Sequence, residues 1–217
     1  VRASASARSR RLSQSLVVAE IALAFGLLAV STVLIIQLRA LSRISPGFDA
    51  DHVLTFVLSV PGTIADNRDT RVPYQRRLIE ALETISGVDV VGFANQLPLA
   101  GCCMSTTIYS EGRPADLSAS QRTSLMAVSP GYVPAMRIPL RRGRLLTDHD
   151  LADDRLFVML NEAAVRRYWG GDDPVNAFGR FNDPAGPRFQ VVGVVDDVKN
   201  QSLGEPTGPE VYLLTPI

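Results

Sequence analysis

Histidine and aspartate are the residue types here that most often carry catalysis or bind metal, and they are scattered along the chain. The two histidines, His52 and His149, lie far apart, and neither belongs to a metal-binding or catalytic-triad motif. Three acidic doublets could bind a cation, but aspartate also favours turns, which is the ordinary reason for finding it in loops. The doublets are Asp153-Asp154, Asp172-Asp173 and Asp196-Asp197. We therefore predict neither a catalytic site nor a metal site.

The sequence also lacks the short motifs that bind phosphate or cleave peptides and esters. It contains no GxxxxGK[ST] phosphate loop, no GxSxG or HExxH, and no EF-hand loop. We therefore predict that the chain is not an enzyme and binds no cofactor, ATP included.

Cys102 and Cys103 are the two cysteines, and they are adjacent. A disulfide between neighbouring residues closes a strained and rare ring, and the CxxC spacing of a zinc site is absent. Two buried or free thiols are the expectation.

The densest basic cluster comprises Arg137, Arg141, Arg142 and Arg144. Such a cluster could contact lipid head groups or an acidic surface of a partner. The alternative is a solvated hairpin whose arginines face water. Over the whole chain 22 basic residues balance 22 acidic ones, so we expect no binding to nucleic acid.

The element that organises the chain is the apolar stretch Leu16 to Leu38, which carries one formal charge, Glu20. A helix of this length spans roughly 34 Å, enough to cross a hydrocarbon core of about 30 Å. A soluble helix is rarely apolar on every face over such a length. A cleaved signal peptide is the alternative, but its apolar region is shorter and is followed by a cleavage site of small residues, which is absent here.

Charges flanking this stretch predict its orientation. Four arginines precede it, at positions 2, 8, 10 and 11, whereas Arg39 and Arg43 follow it. The positive-inside rule then puts residues 1–15 in the cytoplasm, 16–38 in the cytoplasmic (inner) membrane, 39–52 in a connector, and 53–217 in the periplasm or outside the cell.

Small residues recur along the stretch at Ala19, Ala22, Gly26 and Ala29. Spacings of three and four residues place them on one face, where a second helix could approach closely. Alanine and glycine are also common in any membrane helix, so both interpretations stay open.

After the connector, the pattern predicts a βαβ unit. Val53 to Val60 is apolar and β-rich and is followed by Pro61-Gly62, which indicates a buried strand. Helical spacing then runs from Pro73 to a C-cap at Gly87, and Val88 to Phe93 predicts the second strand.

The remainder is β-rich, with two short helices. We expect an α+β domain with two subdomains, 53–103 together with 205–217, and 104–204. The predicted strands are 104–110, 123–128, 157–160, 189–195 and 211–215, with helices over 130–136 and 162–168 and a basic turn or edge over 139–146.

Several segments together resemble the permeases of MacB-like ABC transporters, in the expected order from about residue 11 to 217. The segments are Ser45-Pro46-Gly47-Phe48-Asp49, Val53-Leu54-Thr55, Ser129-Pro130-Gly131-Tyr132, Ile138-Pro139-Leu140-Arg141-Arg142-Gly143-Arg144, Asn161-Glu162-Ala163-Ala164-Val165-Arg166-Arg167-Tyr168-Trp169, Asp173-Pro174-Val175, Val191-Val192-Gly193-Val194-Val195-Asp196-Asp197-Val198 and Pro209-Glu210-Val211-Tyr212-Leu213. The resemblance implies a periplasmic core domain between a first membrane helix and an FtsX-like three-helix bundle. That bundle does not occur in this sequence, which we interpret as a segment of a longer protein.

The resemblance also implies a function and partners. A separate ATP-binding subunit would hydrolyse ATP, and the outer domain would couple that hydrolysis by mechanical motion to efflux or extraction of a substrate. The expected partners are that subunit, a second permease copy or a paired permease, a periplasmic adaptor and the membrane. The alternatives are a single-pass sensor with an extracytoplasmic ligand-binding domain and a membrane-anchored enzyme, against which the absence of a catalytic constellation argues.

Overall fold

The computed structural model describes residues 7–60, 67–100, 104–112 and 122–215. Contacts divide the chain into two compact units, Val1–Ile44 and Ser45–Ile217. The first is essentially helix α1, Ala7–Leu41. Within it, Ser13–Leu41 is long and apolar enough to cross a membrane by length and composition. The helix therefore contains the predicted apolar stretch and extends beyond both of its ends.

The second unit is built on one mixed sheet, so the predicted α+β class, an apolar N-terminal helix followed by a mixed domain, is confirmed. Its strands are β1 (Met104–Thr106), β2 (Ile108–Ser110), β3 (Thr123–Val128), β4 (Leu140–Gly143), β5 (Leu156–Asn161), β6 (Phe178–Phe181), β7 (Arg188–Val195) and β8 (Glu210–Leu214). Its helices are α2 (Arg68–Glu83), α3 (Tyr132–Ala135), α4 (Asp148–Leu151) and α5 (Glu162–Trp169).

Strand order in the sheet is β1-β3-β8-β5-β7-β6-β2, and β4 pairs with the C-terminal part of β7. The β3–β8 and β5–β7 pairs are parallel, and the others are antiparallel. The predicted basic edge over 139–146 thus contains a strand, β4.

Both faces of the central strands are buried, which explains their continuous apolar sequences. In β5, Phe157 and Met159 belong to one hydrophobic cluster, whereas Val158 and Leu160 belong to another. Helix α3 contributes to the first cluster, and α5 contributes Trp169, which is buried, to the second.

The prediction of two strands in the βαβ unit is wrong. Residues 53–60 and 88–93 form no strand. Ala94, which follows the second stretch, makes an isolated β-bridge to Val128. Leu54 and Val57 are 88% and 96% exposed. An apolar, β-branched sequence favours a strand only when a neighbouring strand supplies hydrogen-bond partners, and the described residues place none beside this stretch.

Helix α2 begins five residues before the predicted start at Pro73. Asn67 is its N-cap, because the Asn67 side chain accepts a hydrogen bond from the Asp69 backbone N–H at 2.9 Å. The helix ends at Glu83, and Gly87 lies in the following turn with a φ of +91° rather than at the C-cap.

Other boundaries differ in small ways. The predicted strand 104–110 is two strands, because β1 pairs with β3 whereas β2 pairs with β6. Strand β6 and helix α4 were not predicted. Helix α5 is confirmed with Asn161 as its N-cap, and Gly170, with a φ of +62°, ends it.

Candidate functional site

The connector that follows α1 is fastened to the sheet domain, and we call this arrangement the connector clasp. It comprises residues 45–49 of the connector, residues 136–137 after α3, and residues 196–199 after β7. Lys199 donates its backbone N–H to the Pro46 carbonyl at 2.8 Å, and Asp49 donates its own to the Met136 carbonyl at 3.1 Å. Phe48 packs against the first hydrophobic cluster.

An ion pair adds to these backbone bonds. Arg137 donates from Nη1 to Asp49 Oδ2 at 2.8 Å. The hydrogen bond from Arg137 lowers the pKa of Asp49 below its usual value. Because both side chains are exposed, the ion pair adds little stability; it mainly sets which part of the connector faces residue 137.

Gly47 makes the closest approach in the clasp. Its φ is +87°, and a Cβ built there would lie 2.2 Å from the Asp197 carbonyl oxygen. Glycine therefore meets two needs at once, a left-handed backbone and room for the loop after β7.

The four arginines of the predicted basic cluster lie at β4 and its flanks, and each has a carboxylate partner. The pairs are Arg137 with Asp49, Arg141 with Asp196, Arg142 with Glu162, and Arg144 with Asp150. The patch is therefore largely neutralised within the domain, and its predicted contact with lipid or a partner stays a prediction.

The Arg144–Asp150 pair contains the most deeply buried carboxylate of the four. Arg144 donates to both Asp150 oxygens at 2.6 and 2.7 Å, and Thr147 adds bonds from its N–H and hydroxyl. Burial raises the pKa of Asp150, but these bonds outweigh burial and lower it overall.

Residues of the acidic doublets form hydrogen bonds and ion pairs within the sheet domain. Asp197 accepts the Ala163 N–H at the start of α5 at 2.8 Å and pairs with Arg166 at 2.7 Å. Asp153 pairs with Arg155, and Asp173 accepts the Val175 N–H. Over the described ranges, no three acidic, histidine or cysteine side chains converge as a metal site would require.

Four side chains form a buried polar cluster that the sequence did not predict. The Tyr212 hydroxyl donates to Glu210 Oε2 at 2.8 Å, and Asn200 Nδ2 donates to Glu210 Oε1. Asn161 Oδ1 accepts the backbone N–H groups of Ala164 and Glu210 at 2.8 and 2.9 Å. A glutamate opening an apolar strand, with a tyrosine two residues later on the same face, was the available signal.

Two other predictions are not tested by this geometry. Ala19, Ala22, Gly26 and Ala29 are exposed on α1, so helix packing stays a prediction. Cys102 and Cys103 lie outside the described residues.

Comparison with known proteins gives one family and several solved structures. The family model described as the MacB-like periplasmic core domain matches residues 17–216. No curated protein matches the chain.

Three similar solved structures have low identity. The periplasmic region of MacB from Actinobacillus actinomycetemcomitans is 21% identical with a TM-score of 0.41, over 64% of this chain and 52% of that one. The extracellular domain of the noncanonic ABC-type transporter YknZ from Gram-positive bacteria is 17% identical with a TM-score of 0.42, over 63% and 59%. A domain of a permease protein from Porphyromonas gingivalis is 16% identical with a TM-score of 0.40, over 64% and 54%. The matched region thus spans little more than half of each solved chain.

Proposed function

Because this chain belongs to the family of MacB-like periplasmic core domains, we propose that it is part of the permease subunit of an ABC transporter. Helix α1 anchors the protein in the cytoplasmic membrane, and the sheet domain works on the outer side. Its role is mechanical: it transmits movement that begins with ATP hydrolysis in a separate cytoplasmic subunit and drives efflux or extraction of a substrate.

The connector clasp is the observation that carries this role. The connector follows α1 directly in the chain, and two backbone hydrogen bonds, one ion pair and the packed side chain of Phe48 hold it to the domain. A displacement of the connector is therefore passed to α3 and to the end of β7 rather than lost in a flexible linker.

The proposed partners follow from the same role. In this proposal ATP is bound by a separate subunit, and the sequence given contains no phosphate loop. A second permease copy or a paired permease completes the membrane part, and a periplasmic adaptor receives the motion. The chain itself is not an enzyme in this proposal.

Two measurements test the proposal on the whole permease. Purified alone, it should hydrolyse no ATP, and it should copurify with an ATP-binding subunit when both are expressed. Turnover by the permease alone, after removal of contaminating ATPases, would contradict the proposal. Failure to find any ATP-binding partner would favour a single-pass sensor.

Hydrogen exchange of residues 45–49 in the assembled complex tests the clasp. Exchange should differ between the nucleotide-free and ATP-bound complexes, because a mechanical element responds to the state of its partner. The Arg137→Ala variant should alter that difference. Arg155→Ala, which removes a similarly exposed ion pair away from the connector, should leave it unchanged. Identical exchange in both nucleotide states would exclude the mechanical role.

A further inference from the structure

Glu210 is a carboxylic acid placed in the interior of the sheet domain. It is the first residue of β8, and its side chain is 2% exposed. Its two oxygens contact the Tyr212 hydroxyl and the Asn200 amide. A carboxylate in such surroundings needs compensating charge, and the described contacts of Glu210 include no cation.

The other elements packed around β8 do not supply that charge. Strands β3 and β5, which flank β8, contain no ionisable residue. Tyr132 of α3 lies with its ring 6.2 Å from that of Tyr212. Helix α5, which also packs on β8, carries Glu162, paired with Arg142, and the exposed Arg166 and Arg167. The formal charge that acts on the pKa of Glu210 is that of Asp197, which is negative and already paired with Arg166.

These surroundings favour the neutral acid. Burial raises the pKa of Glu210 to about 8, the hydrogen bond from Tyr212 opposes that shift, and the negative charge of Asp197 adds to it. Glu210 is therefore mostly protonated at neutral pH.

A protonated carboxyl group must donate its hydrogen, and the cluster contains an acceptor for it. Asn200 Oδ1 is buried, and no described residue forms a hydrogen bond with it. A half-turn of the Asn200 side-chain amide would bring Oδ1 to Glu210 in place of Nδ2. After that half-turn the protonated acid donates to Asn200 Oδ1, so the neutral state is fully hydrogen-bonded, whereas the ion would be a buried negative charge with no cation among its described contacts.

Asn200 connects this chemistry to the connector clasp. Its backbone carbonyl accepts the Leu99 N–H at 2.8 Å, and the preceding residue, Lys199, donates its backbone N–H to the Pro46 carbonyl. We propose that Glu210 and Asn200 form a proton-dependent latch, which keeps the loop after β7 closed on the connector while Glu210 is protonated and loosens it when the proton leaves. This latch belongs to the chain alone and does not depend on the transporter role.

The size of the effect follows from linkage. If opening of the loop returns the carboxyl group to water, its pKa falls from about 8 to near 4.5, the ordinary value of a glutamic acid. Opening then becomes about tenfold more favourable for each pH unit between about 5 and 8, and levels off above 8.

Hydrogen exchange of the full chain in lipid nanodiscs measures that opening. With intrinsic exchange rates corrected for pH, protection of residues 45–49 and 196–204 should fall by up to about tenfold per unit from pH 6 to 8. Glu210→Gln, which stays neutral, should remove the dependence. Glu205→Gln, which changes an exposed side chain near the same loop, should retain it. An equal pH dependence in Glu210→Gln would overturn the latch.

A second measurement does not require the Glu210 variant to fold. In the Glu20→Gln chain, which lacks the carboxyl of the membrane helix, infrared spectroscopy should show a protonated carboxyl band at pH 6 that disappears with a midpoint near 8. Loss of protection in 45–49 should follow the same midpoint. Absence of the band at pH 6, or protection that does not change as the band is lost, would also overturn the proposal.

Discussion

The side chain of Asn161 joins three parts of the backbone. Its Oδ1 accepts hydrogen bonds from Ala164 of α5 and Glu210 of β8, and its Nδ2 donates to the Gly208 carbonyl at 2.9 Å. Asn161 is fully buried, as are Ala164 and Glu210, so Asn161→Ala would leave the N–H groups of those two residues without water to replace the bonds. We expect a loss of about 3 kcal/mol in the free energy of unfolding, measured by chemical denaturation of the full chain.

Asn67 provides the matched control. It also caps a helix, α2, but it is exposed and makes one described capping bond, to Asp69. Asn67→Ala should cost about 1 kcal/mol, because water solvates the freed N–H. Equal losses in the two variants would show that Asn161 acts as a simple cap and does not join α5 to β8.

Asp150 should make the free energy of unfolding depend on pH in the acidic range. Its pKa is lowered in the folded protein, so it contributes stability above the unfolded value of 3.8 and loses it as the pH falls through the folded value. Asp150→Asn should therefore destabilise the chain at pH 7 and much less near pH 2. Unfolding curves at both pH values test this, and an equal destabilisation at both would contradict it.

The ion pairs show how far residue-level prediction reached. The density of arginine between positions 137 and 144 was visible in the sequence, but the partners were not. Asp49 is 88 positions from Arg137, and Asp196 is 55 from Arg141. Only the fold brings such residues together, whereas Arg144 and Asp150 are six apart and join through a local turn. The buried polar cluster was missed for the same reason, since Asn161, Asn200 and Glu210 come from separate segments.

At the scale of elements, Gly47 tests the connector clasp. Gly47→Ala introduces a Cβ where the Asp197 carbonyl already lies, so the connector must move away from the loop. Gly87→Ala is the control, because Gly87 has a similar φ, +91°, with open space around it.

The two variants should differ in the size of the destabilisation and in the residues whose hydrogen exchange changes. Gly87→Ala should cost about 1 kcal/mol for the left-handed backbone alone. Gly47→Ala should cost roughly 1 to 3 kcal/mol more, because a clash with backbone adds to that strain. Thermal unfolding gives the difference, and faster hydrogen exchange at residues 45–49 should appear in Gly47→Ala only. Equal behaviour would mean that the clasp tolerates a wider separation.

Elements were predictable where local and tertiary signals agree. The strands β3, β5, β7 and β8 are apolar on both faces because the sheet is covered on both sides. Helix α5 carries its own Asn cap and Gly stop. Residues 53–60 have equally strong β-propensity, but a strand also requires a partner, which propensity cannot supply.

For the whole molecule, the apolar composition of one long segment was a better guide to structure than the local pattern of strand-forming and helix-forming residues. A long apolar segment determines a helix because its backbone must satisfy its own hydrogen bonds in lipid. The boundary of that helix with the folded unit falls at Ile44 and Ser45, within the predicted connector 39–52. The subdomain boundaries proposed from sequence stay predictions.

The charges that flank the apolar stretch predict the orientation of the chain. Four arginines precede the apolar stretch, whereas two follow it closely, so we expect the N-terminus in the cytoplasm. Alkaline phosphatase fused after residue 60 should be active, since it folds outside, and a reporter that folds only in the cytoplasm should be inactive there. Replacing Arg8, Arg10 and Arg11 by serine leaves one arginine before the stretch and two after it, which reverses the asymmetry and should give mixed or inverted orientations. Serine at Arg76 and Arg77, far from the membrane segment, should change nothing. Cytoplasmic activity after residue 60 in the unaltered chain would place the sheet domain inside the cell, where it could not serve as the outer part of a permease.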